Sequence, residues 1–428
     1  MTARPGSKIV DKLYASARDA YASNGVNSDK AISAALKIPL SLHCWQADDV
    51  VGFEKKPAGL DGGGIMATGN YPGRARTPDE ARADYEQVLQ LVPGTLRLNI
   101  HAMYAETGGQ VVDRDALEPK HFNNWMDWAQ RRRIHLDFNP SFFAHPKADG
   151  GYTLSHTDPS IRRFWIRHAI ASRKIAEAMA RHQGGPCFVN HWVPDGGKDF
   201  PADRWTHRKL LADSLDQAIV REKSVNKKQC IDFVESKLFG LGSEEYVVGS
   251  SEFYSSYALS RGIGLTMDMG HYHPTETIHD KISSFLQFHG QLLLHVSRPI
   301  RWDSDHVVIF NDDLRNVFLE IQRGGAWDRV ILATDYFDAS INRIAAYVIG
   351  LRATRKAILY ALLDPTAELQ RLEAAGDNAG RLALMDEAKT LPFGAVWDAL
   401  CVKAGMPLDR TWMAQVRKYE SDVLAKRR

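Results

Sequence analysis

Between Leu265 and His306 the chain reads TMDMGHYH, LLLHVSR and RWDSDH, which places Asp268, His271, His273, His295, Asp303, Asp305 and His306 in one stretch. Each of these side chains can ligate a metal. Carboxylate oxygen mixed with imidazole nitrogen, and no cysteine nearby, suits a borderline-hard divalent ion such as Mn²⁺, Co²⁺ or Zn²⁺ better than a thiolate zinc site would. Any one of the histidines taken singly is more often an ordinary loop residue than a ligand. The chemistry therefore depends on elements that bring the cluster to one point.

Those elements are legible as a steady alternation. A polar helix over residues 7–22 leads to a first strand ending at His43. Strands then follow at TLRLNIH (95–101), IHLDFN (134–139), CFVNHW (187–192), CIDFVE (230–235), GLTMD (264–268), LLLHV (292–296) and RVILAT (329–334). Between them lie stretches of helical period, such as DDLRNVFLEIQR. Helix starts are marked at Thr77-Pro78-Asp79-Glu80, where Thr as N-cap, Pro at the first position and Glu three residues on predict a capping box, and at Asp158-Pro159. Strands this apolar have no wet face, so eight βα units predict a parallel sheet covered by helices and closed into a (β/α)₈ TIM barrel. The alternation stops near Ser340, predicting a catalytic barrel over 1–340 and a C-terminal helical region over 341–428 that packs on the barrel or on another subunit. The glycine-rich segment at 59–73, GLDGGGIMATGNYPG, matches no phosphate-binding fingerprint and is read as an active-site loop.

In such a barrel the carboxyl ends of the strands converge on one rim. His43 and Trp45 follow strand 1, His101 ends strand 2, Asn139 strand 3, Trp192 strand 4, and Glu235 with Lys237 strand 5. Asp268 and His271 end strand 6, His295 lies in strand 7 with Asp303 and Asp305 in its loop, and Asp335 ends strand 8. Five carboxylates then share one mouth, and each like pair at ~4 Å repels by ~4 kcal/mol at an effective dielectric of ~20. Two divalent cations would cancel most of that charge. The residues thus predict a two-metal site, with Glu235, Asp268, His295 and Asp335 as one ligand set and His271, Asp303 and Asp305 as the other; whether Glu235 or Asp268 bridges the sets is left open.

Composition narrows the partners. Lys plus Arg total 54 against 52 Asp plus Glu, a net charge of +2, which provides no field to attract nucleic acid or anionic lipid. Neither an export signal nor a membrane span is expected from the apolar runs. Cys44, Cys187, Cys230 and Cys401 lie far apart in no CxxC pattern, and three of them sit in or beside apolar runs and read as reduced, packed thiols, pointing to the cytoplasm.

The segments SLHCWQADDV, GGIMATGNYPGRAR, LDFNPSFFAHP, WVPDGGKD, DFVESKLFG, GHYHPTE, LLLHVSRPIRWDSDHVV and DYFDASINRIAAYVIG resemble those of bacterial L-rhamnose isomerases, from about residue 10 to the C-terminus. That resemblance implies a (β/α)₈ barrel, a cytoplasmic homotetramer built partly by the C-terminal helices, and divalent metal, Mn²⁺ above all. It also implies conversion of L-rhamnose to L-rhamnulose, the first step of rhamnose catabolism. The family's manganese ligands correspond to His271, Asp303 and Asp305, and its second site to Glu235, Asp268, His295 and Asp335.

The chemistry expected is a metal-assisted hydride shift from C2 to C1, with Lys237 as an electrophile near O1 and a metal-bound water handling the O1/O2 proton. An enediol path with Asp303 removing the C2 proton is the second option. Trp45 and Trp192 are expected to stack on the sugar, His101 to assist ring opening, and His306 to orient a ligand; His273 is read as a loop histidine. Two rivals remain: a metal-dependent phosphoester hydrolase on the same barrel, which would want more basic residues at the rim, and a non-catalytic sugar-binding protein, which needs no carboxylate cluster.

Overall fold

Eight short apolar segments form the eight strands of a closed parallel barrel in a computed structural model that describes residues 7–54, 67–237, 245–273, 275–408 and 411–427. They are β1 (Leu40–His43), β2 (Leu96–His101), β3 (His135–Asn139), β4 (Cys187–Trp192), β5 (Cys230–Glu235), β6 (Gly264–Asp268), β7 (Leu292–Val296) and β8 (Val330–Thr334). Each pairs with its sequence neighbours, and Ser41 opposite Ala333 closes β8 onto β1. The strands lie where the apolar runs predict, within a residue at either end. Residues 59–66 of the glycine-rich segment fall outside the described residues.

The helices start where their caps say. The Thr77 side chain accepts from the Glu80 amide at the head of Pro78–Leu89, and Asp158 accepts from the Ser160 amide at the head of Pro159–Gln183. The capping box predicted at Thr77 is half formed, because the Glu80 carboxylate reaches one residue further back and accepts from the Arg76 amide at 2.8 Å. Glu80 also binds the Arg76 side chain, and that ion pair draws it past the cap.

Inside the barrel, Phe233, Leu293 and Ala333, with Phe188, Ile231 and Ile331 against them, form an apolar plug. Elsewhere in the interior Arg97 pairs with Asp137 at 2.6 Å, and Ser41 donates to the same carboxylate at 2.8 Å. Two residues beyond Phe233, Leu293 and Ala333, on the same inward faces, come Glu235, His295 and Asp335 at the carboxyl mouth.

Helix Arg343–Leu362 follows β8 and packs against Asp312–Arg323 on one side and Ser28–Lys37 and Pro78–Leu89 on the other, so it completes the ring of helices around the barrel. Its buried Arg355 donates to the carbonyls of Ala35, Ile38 and Thr95, and its Arg352 to those of Leu91 and Pro407. Its amphipathic signal is weak because sixteen of its residues are buried all round, and the β/α alternation accordingly fades from the sequence at Ser340. Further on, Phe393–Lys403 packs on Ser7–Ala22, and the buried Arg427 clasps Asp84 at 2.7 and 2.8 Å, fastening the last residues to Pro78–Leu89. By contrast Asn378–Glu387 buries none of its residues, and Leu382 there is 64% exposed.

Three interior histidines stay neutral. Burial pushes His43, His101 and His168 down to about 3. His168 shows why: its Nε2 accepts from the Ser141 amide while its Nδ1 donates to the Arg114 carbonyl, so neither nitrogen has room for a second proton. The unfolded chain takes up protons below pH 6.5 that these groups refuse, so stability is lost as pH falls, by up to about 1.4 kcal/mol per pH unit for each. His168→Gln keeps a donor and an acceptor without titrating. Urea midpoints measured from pH 7 to 5 should fall less steeply in this variant than in the native chain; parallel curves would contradict the assignment.

Candidate metal centre

Strand register assembles the first group. Glu235 ends β5, Asp268 ends β6 directly opposite His295 on β7, and Asp335 follows β8. One ligand atom from each lies within 4.8 Å of all the others. The Nδ1 of His295 is 2.9 Å from Glu235, 3.2 Å from Asp335 and 3.8 Å from Asp268. A second group, Asp268, His271 and Asp303, meets the same 4.8 Å criterion, and His271 Nε2 lies 3.1 Å from Asp303. Asp268 stands in both groups, and His271 Nδ1 is 3.6 Å from Glu235, so the two groups are contiguous. Gly270 permits this: its amide donates to Asp268 at 2.6 Å, and a Cβ there would come 2.5 Å from Asp303 Oδ1.

Asp305 lines the same cavity but is not one of the three residues of the second group. It and Arg301 both adopt left-handed φ, at 44° and 67°, in a loop whose flanks are bridged between Arg298 and His306.

Charge governs the protonation of this cluster. Burial, then the neighbouring carboxylates, push Asp268 up to about 8; burial raises Asp335, and burial with Asp303 and the other acids drives Asp305 well above the usual range. Burial opposes charge on His271 and His295, yet the carboxylates outweigh it, lifting His271 to about 10 and His295 well above its ordinary value. Burial likewise opposes ionisation of Glu235, but His295 and His271 hold it below the usual range. Protons thus stand where the acids call for positive charge, and a dication would displace them.

The donor atoms fit such an ion. Asp268 Oδ2, His271 Nδ1 and Asp303 Oδ1 are buried with no hydrogen-bond partner among the described residues. Each unsatisfied buried group costs about 1–3 kcal/mol, which coordination removes.

Supporting bonds fix the ligands. The Trp45 indole N–H donates to Asp335 Oδ1 at 3.0 Å, Ser297 Oγ donates to Asp268 Oδ1 at 3.1 Å, and the Asn190 amide donates to Glu235 Oε2. Ser297 and Asn190 escaped the sequence reading, although Asn190 lies two residues before Trp192 and so on the same strand face. Trp45→Phe keeps the ring contacts with His43 and His101 but removes the donor. It should lower kcat about tenfold with a small change in melting temperature, the usual size of a supporting-bond loss at a metal site; unchanged kcat in steady-state assays would show the bond idle.

A cavity of about 420 Å³ opens over the cluster. Trp192, Lys237 and His101 line it, joined by Val50, Trp302 and Phe337, which the sequence did not single out. Lys237 Nζ lies 5.5 Å from the Trp192 ring, and its amide donates to Gly249 O, which ties the loop after β5 to a two-stranded ribbon of Gly196–Gly197 and Tyr246–Val247. Ser141 Oγ accepts from the Met103 amide and pairs with His101 Nδ1 at 3.0 Å, which fixes the ring's orientation. His306 also reaches the cavity wall, with its Nδ1 on Ser304. His273 is exposed and bonded to Thr275 in its own loop.

Residues 8–427 match the family L-rhamnose isomerase (RhaA). The chain is 52% identical over 418 residues to L-rhamnose isomerase of Rhodopirellula baltica, covering 98% of this chain and 97% of that one. It is 50% identical over 418 residues to L-rhamnose isomerase of Escherichia coli K12, covering 98% and 99%. Among solved structures it is similar to a D-psicose 3-epimerase from Clostridium cellulolyticum H10, at 12% identity and a TM-score of 0.47, over 75% of this chain and 97% of that one. With a family match over nearly its whole length and half its residues shared with full-length relatives, the chain belongs to the L-rhamnose isomerase family of aldose–ketose isomerases.

Proposed function

We propose that this chain interconverts L-rhamnose and L-rhamnulose, using two divalent ions per subunit, Mn²⁺ foremost with Zn²⁺ or Co²⁺ as alternatives in one site. The observation that carries the reading is the pair of contiguous ligand groups sharing Asp268, whose buried donor atoms lack partners at the floor of a sugar-sized cavity. One group holds Glu235, Asp268, His295 and Asp335; the other holds His271 and Asp303, with Asp305 as its further ligand. Bound there, the ions supply Lewis acidity towards a sugar's oxygens.

The chain's own side chains do the rest. Trp45 and Trp192 present indoles to the sugar's apolar edge, and His101 meets the ring oxygen as the ring opens. Lys237 brings its ammonium to O1, where negative charge builds. The C2 hydrogen passes with its electron pair to C1 while the O2 proton is transferred to O1, so the sugar is neither oxidised nor reduced overall. An enediol route would instead send the C2 proton through Asp303. Isomerisation in D₂O decides between them: little deuterium at C1 is expected, and substantial incorporation would move the assignment to Asp303.

Phosphoester hydrolysis fits less well, because Lys237 is the single lysine or arginine among the described cavity-lining residues. Non-catalytic sugar binding would leave five clustered carboxylates unexplained. The buried, free thiols favour a cytoplasmic setting, and no described helix is long and apolar enough to cross a membrane. Within the C-terminal helical region, 341–428, helix Arg343–Leu362 packs as part of the barrel's ring, and the helices beyond it are assigned to a homotetramer. The uncovered Asn378–Glu387 helix supports that role, and sedimentation of the purified protein tests it.

A further inference from the structure

Beneath Glu235 runs a hydrogen-bond chain to which the reaction assigns no part. Asn190 on β4 and Thr266 on β6 flank Glu235 on β5, and all three are buried. Thr266 Oγ1 donates to Asn190 Oδ1 at 2.7 Å, and Asn190 Nδ2 donates to Glu235 Oε2. The other carboxylate oxygen, Oε1, faces His295 Nδ1 at 2.9 Å and His271 Nδ1 at 3.6 Å.

The direction of this chain is set by its ends. An ionised carboxylate only accepts, so the amide must turn its NH₂ towards Glu235, and its oxygen then needs a donor, which Thr266 provides. Without the hydroxyl the Asn190 oxygen is buried with no donor, a cost that loosens the amide and with it the hold on Glu235 Oε2. We propose that Asn190 and Thr266 are positioning residues that commit Glu235 Oε2 to the protein and reserve Oε1 for the metal group of Glu235, Asp268, His295 and Asp335. The inference rests on the metal reading above.

It makes the two ion sites respond differently. Thr266→Val is isosteric and deletes only the donor, and Asn190→Leu removes the amide at similar volume. Both should weaken one of two Mn²⁺ binding events by roughly 10–100-fold in calorimetric titration of metal-free protein, the usual range for loss of a bond that orients a ligand. The other event should change less than threefold. Thr266→Ser keeps the hydroxyl and should restore affinity to within about threefold of the native chain. Melting of the metal-free variants serves as the check on folding.

Native protein that binds two ions alongside variants that bind them equally well overturns this inference alone. Equal weakening of both events, or failure of Thr266→Ser to restore affinity, also overturns it by reducing the pair to general packing. Native protein that takes up no ion removes the metal reading and this inference together.

Discussion

Stripping the protein with excess EDTA should abolish ketose formation from L-rhamnose, by at least about a thousandfold, and Mn²⁺ should restore it. The expectation follows from charge. Glu235, Asp268, Asp303, Asp305 and Asp335 surround two imidazoles in one mouth, and without a dication they hold protons on His271 and His295 instead. A sugar hydroxyl offered to those protonated rings meets hydrogen-bond donors but no Lewis acid. Loss of several kcal/mol of transition-state stabilisation corresponds to three or more decades in rate. Metal-free protein, verified by elemental analysis, that still turns over at more than a few per cent of the native rate would refute the two-ion reading. Phosphatase activity restored by the same ion would favour the hydrolase.

The second large effect is expected at Asp268, and it has two opposite signs. Asp268→Asn removes the one carboxylate common to both ligand groups, so both ions should bind more weakly and kcat/KM should fall by about 10³ or more. The metal-free variant should nevertheless melt higher than metal-free native protein. Burial and the surrounding acids raise Asp268 to about 8, which means that its charge is disfavoured in the fold. A folded-state value above the unfolded one means that the fold holds a proton the unfolded chain releases from about pH 4 upward, so stability falls as pH rises through that window. A neutral amide of equal size escapes that loss, which should amount to a few kcal/mol at pH 7, and Ser297 and the Gly270 amide still find an oxygen to bond. Calorimetric melting of both apo proteins, with activity measured on the Mn²⁺-loaded forms, checks the pair of signs. A lower apo melting temperature would show that the site is not under like-charge strain.

Much of this molecule was readable from residue order because the signals are local. Strand segments of four to six largely buried residues, Pro78 and Pro159 just inside helix starts, and polar residues at strand ends are encoded by neighbours in the chain. They led to the barrel and to the mouth at which Glu235, Asp268, His295 and Asp335 meet. The family resemblance added the reaction class, which neither period nor spacing carries.

Other features depended on distances across the barrel, which no local signal encodes. Opposing Asp268 to His295, and Glu235 to Thr266, is a matter of how strands shear past one another as the sheet closes. That register makes Asp268 common to both groups and puts Asn190 under Glu235. The loop from Arg298 to His306 follows a path set by left-handed Arg301 and Asp305, so two acids one residue apart meet the cluster differently. Helix Arg343–Leu362 is another case: buried on all sides, it shows no amphipathic period, and only its neighbours reveal it as part of the barrel's ring. Sequence alone thus determined which residues reach the mouth of the barrel; closure of the sheet decided which of them touch, because contact between strands is a property of register and loop path rather than of adjacent residues.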